Sequence, residues 1–229
     1  MKTIGLIGGM SWESTIPYYR IINEEVRNRL GGLHSAKIIL YSVDFDEIER
    51  LQSGDEWEKA GDILGNAAQT LETAGADLIV ICSNTVHKVA DQIASNIQIP
   101  LLHIADAAAD ELEKSHIRRA GLLGTKYTML QGFYRDRLAA RNIETLIPDP
   151  DDAESVNNII FGELCIGDIR EESCRKCLDI IESLREHGAE GVILGCTELG
   201  MLIDLADIEI PVFDTTVIHA RKAAELALK

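Results

Sequence analysis

The chain has 229 residues, 46% hydrophobic and 26% charged, which suits a folded protein with one large or two small cores. Its formal net charge of −16 at pH 7 argues against nucleic acid and anionic membranes, both of which need a basic face. No apolar run approaches the roughly 20 residues of a membrane helix, and the start passes directly into a strand-like run, so no signal peptide is expected. Five cysteines, an odd number scattered at 82, 165, 174, 177 and 196, argue against a disulfide framework and fit a reduced cytoplasm. A small anionic substrate stays open, because helix N-termini and backbone N–H groups can hold one without basic side chains.

In chain order, Thr3 to Ile7 reads as a strand ending in Gly8-Gly9. Ser14 and Thr15 before Pro17 suggest a helix start, followed by Ile16, Tyr19, Ile22, Val26 and Leu30 at helical spacing. Ile38 to Val43 reads as a second strand. Trp57, Ala60, Leu64, Ala67 and Leu71 mark a helix closed by Gly75, and Leu78 to Ile81 a third strand, continuously apolar as in a parallel sheet. Ala120 to Leu123, Thr145 to Ile147 and Val192 to Leu194 repeat the scheme, with the acidic run Asp149-Pro150-Asp151-Asp152 expected as a solvated loop.

The chain also repeats itself in detail. Gly5-Leu6-Ile7-Gly8 returns as Gly121-Leu122-Leu123-Gly124, Gly75-Ala76-Asp77 as Gly188-Ala189-Glu190, and Ile99-Pro100-Leu101-Leu102-His103 as Ile210-Pro211-Val212-Phe213-Asp214. The blocks keep their order at offsets of roughly 110 residues, the size of a small domain. The expected fold is α/β: two pseudo-symmetric lobes, each a parallel sheet flanked by helices, with the active site in the cleft between them. The first lobe is expected over residues 1–99 with 212–229, the second over 100–211.

Ligands of open parallel sheets sit beyond the carboxyl ends of the strands. That rule selects Gly8-Gly9-Met10-Ser11, Cys82-Ser83-Asn84-Thr85, Gly124-Thr125 and Gly195-Cys196-Thr197-Glu198. Gly5-x-x-Gly8-Gly9 lacks dinucleotide spacing and is better explained by a tight turn near a small ligand. Cys174-x-x-Cys177 lies within an amphipathic helix pattern, with no second pair to complete a zinc site. His34, His116 and His187 are expected at the surface, and His87 in a structural role at a helix start. Cys196 is the candidate thiolate, its pKa lowered by a helix N-terminus. In the repeat it lies opposite Ser83, whereas Cys82 lies opposite Gly195 and should be a buried core residue pointing away from Ser83.

Ile79-Val80-Ile81-Cys82-Ser83-Asn84-Thr85-Val86-His87 and Val192-Ile193-Leu194-Gly195-Cys196-Thr197-Glu198-Leu199-Gly200 resemble the paired signatures of the aspartate/glutamate racemase family. Gly5 to Thr15 resembles its amino-terminal motif, so the likeness covers nearly the whole chain. The resemblance implies no cofactor, and two residues that face opposite sides of a substrate α-carbon, one taking its proton and the other returning one. Here the place of the family's first cysteine holds Ser83, a much weaker acid than a thiol, as in a subgroup that pairs a hydroxyl residue with cysteine and favours L-aspartate and L-glutamate. Cys165 stands where the family often has a lysine, which leaves Gln52, Thr125 and backbone N–H groups to hold a distal carboxylate.

The expected function is therefore cofactor-independent racemisation of a small acidic amino acid, with Ser83 and Cys196 catalytic. Met10, Gln52, Asn84, Thr85, Thr125, Thr197 and Glu198 are expected to contact substrate, and no metal is expected. The alternatives are a decarboxylase or isomerase of the same superfamily that uses the second-lobe cysteine alone, and a non-catalytic amino-acid binding protein. A small-molecule partner, no nucleic acid, no membrane, a cytoplasmic location and a homodimer complete the expectation.

Overall fold

A computed structural model describes residues 1–204 and 208–229. It divides into two compact units, Met1–His103 with His219–Lys229, and Ile104–Ile218.

The first unit runs β1 (Thr3–Gly8), α1 (Trp12–Leu30), β2 (Lys37–Ser42), α2 (Phe45–Ser53), α3 (Trp57–Thr73), β3 (Leu78–Ile81), a 3-10 turn (Thr85–Val89), α4 (Ala90–Ser95) and β4 (Leu101–Leu102). Its parallel sheet has the order β2-β1-β3-β4. The second runs α5 (Ile104–Lys114), β5 (Arg119–Gly124), α6 (Lys126–Leu130), α7 (Gly132–Ala139), β6 (Glu144–Leu146), α8 (Pro150–Gly162), α9 (Glu171–Glu186), β7 (Gly191–Gly195), α10 (Leu199–Leu202) and β8 (Val212–Asp214). Its sheet has the order β6-β5-β7-β8. The two orders are the same once the strands are matched, so the sequence repeat is a repeat of topology. Helix α11 (Thr215–Leu228) passes from the second unit into the first at His219.

The division falls later than residues 99 and 211, and strand pairing is the reason. Leu101 and Leu102 bond to β3, which keeps them in the first sheet, while Val212 to Asp214 bond to β7, which keeps them in the second. These two short strands were marked by the repeat of the Ile-Pro blocks, but each is too brief to show an alternating pattern.

The central strands of the first unit are buried on both faces, and alternate residues share one core, as the period-2 rule requires. Leu78, Val80 and Cys82 join Ile4 and Leu6 in a core closed by Tyr18, Ile22 and Val26 of α1 and by Ala220, Ala223 and Ala224 of α11. In the second unit Leu122, Leu123, Val192, Ile193 and Leu194 anchor a core that takes in faces of α5, α7, α8 and α9.

Two helix starts differ from the expected ones. Helix α1 begins at Trp12, so Pro17 lies inside it, and Ser14 and Thr15 spend their hydroxyls on the Ser11 carbonyl, both at 3.0 Å. Its buried stripe is Ser14-Tyr18-Ile22-Val26, a strict i, i+4 row, and leaves Trp12, Ile16 and Tyr19 exposed. The acidic run is a helix start rather than a loop: the Asp149 carboxylate accepts the Asp152 N–H at 2.9 Å, Pro150 opens α8, and Asp151 and Asp152 sit where the helix dipole favours negative charge.

Gly9 shows why the turn after β1 needs glycine. It has φ of 93°, and a Cβ there would lie 2.3 Å from the Val43 carbonyl oxygen. Gly9→Ala is expected to destabilise the fold by about 1–3 kcal/mol, read as a thermal midpoint several degrees lower. An unchanged midpoint would mean that the turn relaxes freely.

Candidate active site

In the first unit the carboxyl ends of β1, β2 and β3 lie side by side. Ile7 is in register with Ile81 and Gly8 with Ser42, and the Cys82 and Val43 N–H groups bond to Ile7 and Gly8 at 2.9 and 3.0 Å. Met10 therefore leaves this edge from β1, Ser83, Asn84 and Thr85 leave it from β3, and all four are buried. Gln52 is buried on α2, the helix that follows β2. Gly9 N–H bonds to the Thr15 hydroxyl at 2.9 Å and pins the β1 turn.

Cys82 is fully buried in the core, and burial alone pushes its thiol far above the ordinary range. A group held so firmly protonated is a packing residue. Ser83, the next residue, is 7% exposed.

In the second unit Gly124 pairs with Gly195, so Thr125 and Cys196 leave neighbouring strands together. A Cβ on Gly195 would come within 3.0 Å of the Leu123 carbonyl, so the backbone approach at this point requires glycine. The Thr125 hydroxyl accepts the Thr128 N–H and caps α6. The Thr215 hydroxyl donates to the Leu194 carbonyl at 2.7 Å, just before Cys196.

The protonation of Cys196 differs from the expected thiolate. Helix α10 has four residues and starts at Leu199, too short and too distant to supply a strong dipole. Burial pushes the thiol well above its ordinary value, with Glu198 and then Cys165 adding negative charge that raises it further. The thiol donates to Glu198 Oε2 at 3.0 Å, and the Thr197 hydroxyl donates to the same oxygen at 2.6 Å. The resting unit is thus a thiol hydrogen-bonded to a carboxylate. Such a pair can pass the thiol proton to Glu198 as the sulfur takes one from a substrate.

Cys174 and Cys177 lie on α9, and Cys177 is pushed up to about 12, chiefly by burial. No group of residues suited to a metal ion occurs among the described residues. His34, His116 and His187 are exposed.

The sequence analysis missed a cluster of three buried histidines in the first unit. His87 in the turn after β3 lies 4.5 Å from His103 and 5.7 Å from His219, measured between ring centroids. Its Nδ1–H donates to the Ser83 carbonyl at 2.7 Å. His219 accepts from the Tyr18 hydroxyl at Nδ1 and donates from Nε2 to the Leu102 carbonyl, at 2.9 and 3.0 Å. The available signal was positional: His87 follows the central strand β3, His103 follows the edge strand β4, and His219 is the fifth residue of the last helix.

Burial lowers both His87 and His219, His219 to about 4, while the charges of its two neighbours lower His87 further. The sign follows from linkage. An unfolded histidine binds its proton near pH 6.5, so the unfolded chain holds more protons between that pH and 4. Stability from the neutral cluster is complete above about pH 6.5 and drains away as pH falls toward 4. The thermal midpoint is expected to drop over this window, and less steeply in His219→Gln; parallel slopes would remove the cluster as the cause.

Comparisons with known proteins give the family. A candidate Asp/Glu racemase from Yersinia pestis shares 56% identity, with full coverage of both chains and a TM-score of 0.93. An aspartate racemase homologue from Pyrococcus horikoshii OT3 shares 40% identity, also with full coverage of both, at a TM-score of 0.86. The broad specificity amino-acid racemase RacX of Bacillus subtilis (strain 168) is 24% identical over 98% of each chain. The Asp/Glu/Hydantoin racemase model matches residues 7–223, and the chain belongs to that family.

Proposed function

We propose that the chain is a cofactor-independent racemase of a small acidic amino acid, with Cys196 and Ser83 serving opposite faces of the α-carbon. The observation that carries this reading is the Cys196–Glu198 pair at the end of β7. A buried thiol whose proton already points at a carboxylate is a base that becomes competent when Glu198 accepts that proton, and it needs no metal or pyridoxal group to do so. Glu198, expected to bind substrate, acts here on the sulfur, since a carboxylate facing an anionic substrate would repel it.

Ser83 supplies a proton to the other face. Asn84, Thr85 and Thr197 receive the α-carboxylate, with their backbone N–H groups stabilising the enediolate charge that develops on deprotonation. Met10, Gln52 and Thr125 complete the substrate contacts, Gln52 and Thr125 toward the distal end. Neutral donors there suit a carboxylate less tightly than a lysine would, so aspartate and glutamate are expected to bind with modest affinity.

The assembly we propose is a homodimer, supported by the exposed Trp12, Ile16 and Tyr19 on α1 and by Leu40 and Tyr41 on the edge strand β2. No disulfide joins any of the five cysteines among the described residues, as suits the reducing cytoplasm we propose. Among the described residues no helix is long and apolar enough to cross a membrane.

The test is a screen of L-amino acids for α-deuterium incorporation in heavy water, using protein dialysed against chelator. The reading expects incorporation into L-aspartate or L-glutamate, with loss of optical purity. Release of carbon dioxide from a malonate without α-proton exchange would replace it with the decarboxylase reading, and ligand-induced stabilisation with no exchange at all would leave a binding protein.

A further inference from the structure

The histidine cluster is an expensive way to fill a core. Each ring carries two nitrogens that must be matched or desolvated, where leucine or phenylalanine would pack at no such cost. The rings nevertheless converge from the turn after β3 (His87), the end of β4 (His103) and α11 (His219), with Tyr18 of α1 bonded to the last. One hydrogen bond of this cluster ends on a residue of the candidate site: His87 Nδ1–H to the Ser83 carbonyl.

We propose that His87 is a positioning residue for the first unit's half of the active site, its Nδ1–H fixing the Ser83 peptide and so the direction in which the Ser83 hydroxyl is presented. The acceptor is a carbonyl oxygen, so Nδ1 must carry a proton, and a ring kept neutral by burial has a single tautomer that satisfies it. His103 and His219 hold that ring by edge contacts at 63° and 66°. His219 in turn is fixed at both nitrogens, by Tyr18 and by the Leu102 carbonyl. A strand-end loop has little structure of its own to set a hydroxyl within the fraction of an ångström that proton transfer demands, and this chain of contacts supplies it. The inference rests on the reading of Ser83 as a proton donor.

Two substitutions separate the donor from the ring. His87→Phe keeps a ring against His103 and His219 and removes the N–H. His87→Asn removes the ring and keeps a donor at nearly the distance of Nδ1. Backbone amide exchange over 83–86 in the ligand-free protein and kcat and KM for α-deuterium exchange are measured for both. His87→Phe is expected to keep its thermal midpoint, lose amide protection over 83–86, and drop about 10- to 100-fold in kcat with little change in KM. His87→Asn is expected to melt at a lower temperature yet recover most of the protection and of kcat. Full kcat in His87→Phe, or equal loss in both variants, would show that the ring only packs and would overturn the proposal. Should the wild type exchange no α-proton of any amino acid, the racemase reading fails on its own, and the amide arm still decides whether His87 holds Ser83.

Discussion

Cys196→Ala is expected to lower α-proton exchange by about 10³-fold or more, the contribution of a positioned general base together with its acceptor. The loss should be deep because the Cys196 thiol is the group whose proton Glu198 is placed to accept. Glu198 receives two hydrogen bonds on one oxygen, and the one from the thiol goes with the sulfur. Cys82→Ala is the matched control. It removes a thiol from the core beside Leu6 and Val80, and should cost thermal stability while leaving exchange within about twofold of wild type. A Cys196→Ala protein retaining more than a few per cent of the rate, or a folded Cys82→Ala protein without activity, would move the base elsewhere.

Ser83 carries the second large effect. Ser83→Ala is expected to reduce inversion by about 10²-fold or more, because the returning face loses its proton donor. The α-proton exchange driven from the Cys196 face should survive in part. Ser83→Cys should do the opposite. Sulfur is the stronger acid, the change in volume is small, and the face limited by a poor donor should quicken. Enantiomers have an equilibrium constant of one, so kcat/KM cannot differ between the two directions. Any asymmetry must therefore appear in kcat and KM separately, or as a ratio of exchange to inversion that Ser83→Cys lowers, measured by α-deuterium and optical rotation on the same sample. Equal ratios in wild type and Ser83→Cys would mean that Ser83 limits nothing.

Much of this architecture is written in the sequence. Strand runs such as Leu78–Ile81 and Gly191–Gly195 are apolar throughout because both faces are covered, and their order along the chain required parallel crossovers. The internal repeat carries more, since it matches Ser83 to Cys196 and assigns Cys82 to the core, where it is fully buried. Other features depend on packing that no local pattern encodes. The start of α1 is decided by Ser11 accepting two hydroxyl protons, not by Pro17. The pKa of Cys196 is decided by burial and by one carboxylate two residues on, where a motif suggested a helix dipole. The histidine cluster joins positions 87, 103 and 219, separations across which no periodicity operates.

The most direct measurement starts from fully protonated L-aspartate or L-glutamate in heavy water and reads the α-position of the first D-enantiomer formed. Two separate monoprotic groups, one per face, predict that the new enantiomer carries deuterium at its α-carbon in nearly every molecule. New enantiomer that keeps the original α-proton would mean that one group serves both faces, and would contradict the pairing of Ser83 with Cys196.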